Sequence, residues 1–172
     1  RAMALSLLSD SDRELVMEVR ELASTQIAQR GYYLDMIGDK EPDWVIPALL
    51  AERNLLAPTI PKSYGGRGLS MMATAAVVEE LAAGCAGAAA IVVANNYALT
   101  PLLVAGSKSL QEKFLPLMTQ KEPHLASPVI NDVASETDLK QKGPIPEDIT
   151  RISTTIHLEG NQAVINGSKD YI

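Results

Sequence analysis

Glu79 and Glu80, Cys85, His124 and His157 are the side chains whose types could do chemistry beyond packing. Two adjacent carboxylates invite a general acid/base reading. On a helix, however, neighbouring side chains point about 100 degrees apart, so these two alone do not build a paired site. They read as structural, facing solvent or a buried partner. Cys85 is the single cysteine, set between Gly84 and Ala86, and is expected to be a small buried core residue. One cysteine excludes an internal disulfide and is compatible with a reducing compartment. The two histidines lie far apart, with no cysteine or carboxylate at ligand spacing, so no metal site is expected. His124 reads as a polar loop residue and His157 as a solvent-facing strand residue.

The chemistry therefore has to come from how the chain is arranged, and composition bounds that arrangement. At 172 residues the chain fits one domain, or one domain and part of a second. Hydrophobic residues make up 47% and aromatics only 4%, which points to an aliphatic, helical core. A net charge of −6 without a Lys/Arg cluster argues against nucleic acid as a partner. The least polar run, Ala86 to Gly106, is long enough to raise a membrane. Asn95, Asn96, Thr100 and Pro101 interrupt it, and basic clusters and aromatic belts do not flank it, so a helix buried in a soluble bundle explains it better.

Helical periodicity places the elements. Ser11 and Glu14 have capping-box spacing, with Leu15, Val19, Leu22 and Ile27 behind them in a helix of about twenty residues. A break near Gly38 to Glu41 precedes a second helix marked by Trp44, Leu49, Leu50 and Leu55, with Pro47 at its start or kinking it. "PTIPKSYGGRGLS", Pro58 to Ser70, holds too many prolines and glycines for a helix and predicts an ordered loop. Ser70 then caps a third helix with Met72, Ala76 and Leu81 near one face. The apolar run is the fourth helix. A fifth starts at Ser107, with Leu110, Phe114 and Leu117 on one side, and Pro123 closes the helical part.

Beyond Pro123 the period changes. "LASPVI" predicts a short buried strand, Thr150 to Leu158 alternates as a strand, and "KQKGPIPEDIT" between them reads as a surface loop. Gln162 to Ile165 begins another strand, Asn166-Gly167 has the chemistry of a two-residue hairpin turn, and Ser168 to Ile172 returns. That last strand is opened and not finished, so a continuation beyond Ile172 is expected. Arg1 ahead of Met3 reads as a residue left by cloning or processing. The fold class is α+β: a mainly α-helical N-terminal bundle over 1–122, then part of an antiparallel β-domain over 123–172.

Taken in order, "LLAPTIPKSYGGRGLS", "VVEELAAG", "AGSKSLQEKFLPLMTQKE", "SETD" and "AVINGSKDYI" resemble the acyl-CoA dehydrogenase family, from about Trp44 to Ile172. The resemblance implies a helical N-terminal domain, a middle β-domain in which this chain ends, and a C-terminal helical domain. It implies FAD as cofactor and an acyl-CoA substrate, whose α-proton goes to a glutamate and whose β-hydrogen leaves as hydride to the flavin. The base belongs to the C-terminal domain, so no catalytic residue is expected in this chain. For FAD the resemblance points to Ile130 and Asn131, to Glu136 and Thr137, and to Tyr171, the aromatic that shields the flavin. Asn131 stands for a threonine and Thr137 for a serine, both still able to hydrogen-bond. Glu136 stands for a glycine and brings a carboxylate toward the diphosphate. Ala90, Val93 and Tyr97 are implied for the acyl chain. Implied partners are an electron-transfer flavoprotein or other acceptor and, at full length, a homo-oligomer; a cytoplasmic location is preferred to an organellar matrix. A non-catalytic or split binding and assembly subunit is the alternative, and a flavin monooxygenase or oxidase on the same fold a third.

Overall fold

The computed structural model describes residues 6–38, 42–130 and 154–169. Two compact units divide between Ala126 and Ser127. The first is helical. It opens with α1 (Asp10–Leu22), a π-helical turn (Ala23–Ile27) and α2 (Ala28–Ile37), which follow without a break. The cap is Ser9, two residues before the expected Ser11: Ser9 has extended backbone angles and its Oγ accepts the Asp12 N–H at 3.1 Å. Helix α2 stops at Gly38, whose φ of 70° is left-handed and costs a glycine little.

Helix α3 (Val45–Glu52) carries Pro47 in its first turn, where a missing N–H breaks no bond. Trp44, one of the residues that mark this helix in sequence, is its N-cap residue and is exposed. Asp43 does the starting work: its carboxylate accepts the Val45 and Ile46 N–H groups and is paired with Arg30 at 2.7 Å. After the glycine loop, Ser70 caps α4 (Met71–Gly84) as expected, its Oγ accepting the Ala73 N–H at 3.1 Å. The buried face of α4 is Ala73, Thr74, Ala76, Val77, Glu80 and Leu81, which takes in the expected Ala76 and Leu81; the expected Met72 is exposed, one position off that stripe.

Helix α5 (Ala86–Ala105) follows directly, then α6 (Lys108–Phe114), which tightens into a 3-10 turn over Leu115–Thr119. That tightening overturns the expected face. Leu115 and Met118, three apart and eclipsed in a 3-10 turn, are buried, whereas Leu110, Phe114 and Leu117 are exposed. By length and a mean hydropathy of 1.6, α5 could cross a membrane. Its inward side, however, sets Ala88, Val92 and Leu99 into the bundle, and between them Asn95, 1% exposed, donates to Leu56 O at 3.2 Å and accepts the Ala126 N–H at 2.7 Å. The main core joins α1, the π-helical turn, α3, α4 and α5 around Val19, Ile27, Leu50, Val77 and Leu81. Each such fully buried side chain contributes about 1.5–3 kcal/mol by leaving water.

In the second unit, β1 (Thr155–Glu159) and β2 (Gln162–Asn166) pair antiparallel, Thr155 opposite Asn166 and Glu159 opposite Gln162. They are joined by a Gly160-Asn161 turn, with Gly160 at φ 63°. The turn expected after β2 at Asn166-Gly167 lacks its backbone signature. Asn166 is paired inside β2, and neither it nor Gly167 has the left-handed φ that such a turn demands. "LASPVI" is no strand: Leu125 to Ile130 makes no ladder, and Leu125, Val129 and Ile130 are exposed. The predicted loop over 140–150 and the start of the alternating segment lie outside the described residues, as does the return strand beyond Lys169.

Candidate functional site

The glycine loop is a brace. Gly65 takes φ 84°, and a Cβ on Gly66 would fall inside the van der Waals envelope of the Ile60 carbonyl. Asn54, itself left-handed at φ 52°, donates to Gly65 O at 2.7 Å, and Arg67 donates twice to Arg53 O, tying the loop to the end of α3. Tyr64 donates from its hydroxyl to Gln111 Oε1 at 3.0 Å, tying it to α6. With both sides held, the loop fixes Thr59 near its start and launches α4 from its end.

Between Thr59, the first turns of α4 and the outward side of α5 runs a largely apolar groove of about 550 Å³. Met71, Ala75 and Val78 come from α4, and Val93, Tyr97 and Leu103 from α5. Of the residues implied for an acyl chain, Val93 and Tyr97 line this groove, 50% and 56% exposed; Ala90 is exposed on the same helix but does not line it. Pro101 lies within α5, where it withholds a donor from the carbonyl four residues back. Side chains work beside it: Thr100 Oγ1 donates to Asn96 O at 2.8 Å, and Asn96 Nδ2 to Val92 O at 2.7 Å. Asn96 Oδ1 in turn accepts from Thr59 Oγ1 at 2.5 Å, a polar floor under apolar walls. Sequence reading took Asn96 only as an interruption of the apolar run and not as a site residue; Thr59 gave no signal, being brought across 37 positions by the fold.

The carboxylates separate as helical geometry requires. Glu79 is exposed, whereas Glu80 is 4% exposed and receives Arg20 Nε at 2.9 Å and Nη2 at 2.7 Å. The hydrogen bond to Glu80 and then its charge hold the Arg20 guanidinium above its ordinary pKa. Glu80 is thereby committed to an ion pair. Burial would raise the Asp43 carboxyl, but hydrogen bonds from the Ile46 N–H, Arg30 and the Val45 N–H outweigh it and hold the group below the usual carboxylate range. Cys85 is half-buried at the α4–α5 link, its Sγ beside Gly31, and so is less enclosed than a core cysteine. His124 is a half-buried loop residue whose Nδ1 lies 3.0 Å from Glu122 O, and His157 is exposed on β1. Ile130 is exposed and its carbonyl accepts from Lys169 Nζ at 3.1 Å. Asn131, Glu136, Thr137 and Tyr171 lie outside the described residues.

Residues 9–122 match the family model described as Acyl-CoA dehydrogenase, N-terminal domain. The cyclohex-1-ene-1-carbonyl-CoA dehydrogenase of Syntrophus aciditrophicus is 28% identical over 174 residues, taking in 100% of this chain and 39% of that protein. A probable medium-chain specific acyl-CoA dehydrogenase 2, mitochondrial, of Caenorhabditis briggsae is 26% identical across 96% of this chain and 37% of its own length. Among solved structures, an acyl-CoA dehydrogenase from Geobacillus kaustophilus superposes with a TM-score of 0.67 at 19% identity, over 95% of this chain and 40% of the other; that likeness concerns the fold. The chain thus spans about two fifths of the length of the relatives it matches.

Proposed function

Because the chain belongs to the acyl-CoA dehydrogenase family through its N-terminal domain, we propose that it is the acyl-binding part of an FAD-dependent dehydrogenase that converts an acyl-CoA thioester to its trans-2-enoyl form. The observation that carries this reading is the α4–α5 groove, with Val93 and Tyr97 in its wall. Apolar walls of this kind bury an acyl chain and keep water from the reacting carbons. FAD, when bound, takes the β-hydrogen as hydride. Ile130, Asn131, Glu136, Thr137 and Tyr171 are the residues we assign to it. The contribution of the helical unit itself is binding: neither Glu79 nor Glu80 lines the groove, and we assign the base to the part of the fold outside the two fifths this chain spans.

We also assign 1–122 to the N-terminal helical domain and 123–172 to the first part of the middle β-domain. An electron-transfer flavoprotein or another acceptor, self-association at full length and a cytoplasmic location complete the proposal. Glu136, where the family resemblance implies a glycine, favours a second reading, a non-catalytic or split acyl-CoA-binding subunit; an FAD titration followed by the flavin absorbance band separates the two, since that subunit leaves the spectrum of free FAD unshifted.

The groove is tested by calorimetric titration of octanoyl-CoA into the wild-type chain and Val93→Trp. The exposed position tolerates the ring, so the melting temperature holds while affinity falls at least about tenfold, roughly 1.4 kcal/mol. Undiminished affinity in Val93→Trp would remove the groove as the acyl site.

A further inference from the structure

We propose that the groove takes an acyl group carrying a hydroxyl or keto oxygen remote from the thioester, and that Asn96 and Thr59 receive that oxygen. The inference rests on the reading of the groove as an acyl site and narrows it to a substrate class.

It follows from hydrogen-bond accounting on the floor. An asparagine amide has two N–H donors and an oxygen with two lone pairs. Asn96 Oδ1 accepts from Thr59 Oγ1 at 2.5 Å and from the Thr59 N–H at 3.4 Å, which uses the oxygen fully. Asn96 Nδ2 donates once, to Val92 O at 2.7 Å, and its second N–H has no protein acceptor among the described residues. Thr59 Oγ1 spends its proton on Asn96 and keeps its lone pairs. The pair thus offers one donor and one acceptor side by side, half-buried, under a lining of Ala75, Val78, Val93 and Leu103.

An unsubstituted alkyl tail seated here would strip water from both groups and return nothing. A hydroxyl on the tail satisfies both: it accepts from the Asn96 N–H and donates to Thr59 Oγ1. A keto oxygen satisfies the donor. Few polar groups in an apolar cleft are how such sites fix orientation, and a site built to bond a substrate hydroxyl discriminates against the analogue lacking it.

The test is calorimetry on the full 172-residue chain with octanoyl-CoA, ω-hydroxyoctanoyl-CoA and the isomers bearing the hydroxyl one or two carbons nearer the thioester. At least one hydroxylated thioester should bind about tenfold tighter than octanoyl-CoA. In Thr59→Val, which keeps the side chain's shape, and in Asn96→Leu, that ratio should fall to within about twofold, the first variant covering the case in which the second does not fold. Octanoyl-CoA binding as tightly as every hydroxylated form would overturn the inference and leave the acyl site standing. A preference that survives both substitutions would overturn its assignment to this pair. Binding of none of the thioesters would remove the acyl reading itself, and this inference with it.

Discussion

Asn95→Asp is the sharpest test of how α5 is held. The wild-type amide donates to Leu56 O at 3.2 Å and accepts the Ala126 N–H at 2.7 Å, at a position 1% exposed. An ionised carboxylate keeps the second bond, but turns an oxygen instead of an N–H toward the Leu56 carbonyl and buries a charge without a cation. Protonation is the escape. A neutral carboxyl donates to Leu56 O and accepts from Ala126, reproducing the amide. The cost at neutral pH is therefore capped by the work of keeping the proton: at about 1.36 kcal/mol per unit from an unfolded value near 3.9, that is about 4 kcal/mol at pH 7 and about 1.5 kcal/mol at pH 5. The sign follows from the raised folded-state pKa of the introduced group. The variant matches wild type below the unfolded value and loses stability as pH rises through the folded one. Urea unfolding followed by circular dichroism at both pH values, with pH-insensitive Asn95→Leu beside it, measures the slope. A pH-independent difference between Asn95→Asp and wild type, or one below about 1 kcal/mol at pH 7, would mean that the side chain is not sealed between those two backbone groups.

Gly66→Ala drives a Cβ into the Ile60 carbonyl, which the loop cannot yield without losing the Gly68 N–H bond to the same oxygen. A loss of about 3 kcal/mol is expected by thermal melting, and wild-type stability would refute the brace. Asp43 titrates below the ordinary carboxylate value, so its stabilisation is present above about pH 4 and lost as pH falls through the folded-state pKa. Wild type and Asp43→Asn should therefore converge in stability on acidification, and a gap constant from pH 6 to about pH 2.5 would refute that sign.

What the sequence disclosed was local. Ser70, Gly38 and Pro47 each act within one turn of where they stand, so their chemistry alone placed two helix starts and one stop. Where a local signal was misplaced, the backbone shows by how much: Ser9 and not the expected Ser11 accepts the Asp12 N–H, and Asn166, expected in a turn, is the last paired residue of β2. A period assumed constant also misled, since α6 switches to 3-10 geometry and moves burial from Phe114 to Leu115. Contacts between distant positions left no trace. Arg20 meets Glu80 across 60 residues, and Thr59 meets Asn96 across 37.

Asn95 and Asn96 show where that limit falls. As neighbours in one helix they point about 100 degrees apart, and the apolar run around them has so little amphipathic contrast that pattern alone does not say which faces inward. Their partners do. Asn95 is closed in on two backbone groups from separate segments, and replacing either of its functions leaves a buried group unmatched. Asn96 looks outward, its oxygen occupied and one N–H without a protein acceptor among the described residues, at the floor of the groove. The same residue type, shifted by one position, thus acts as a fastening on one side of α5 and offers recognition on the other, so the two substitutions should separate cleanly: Asn95 variants in stability, Asn96 variants in the preference among thioesters.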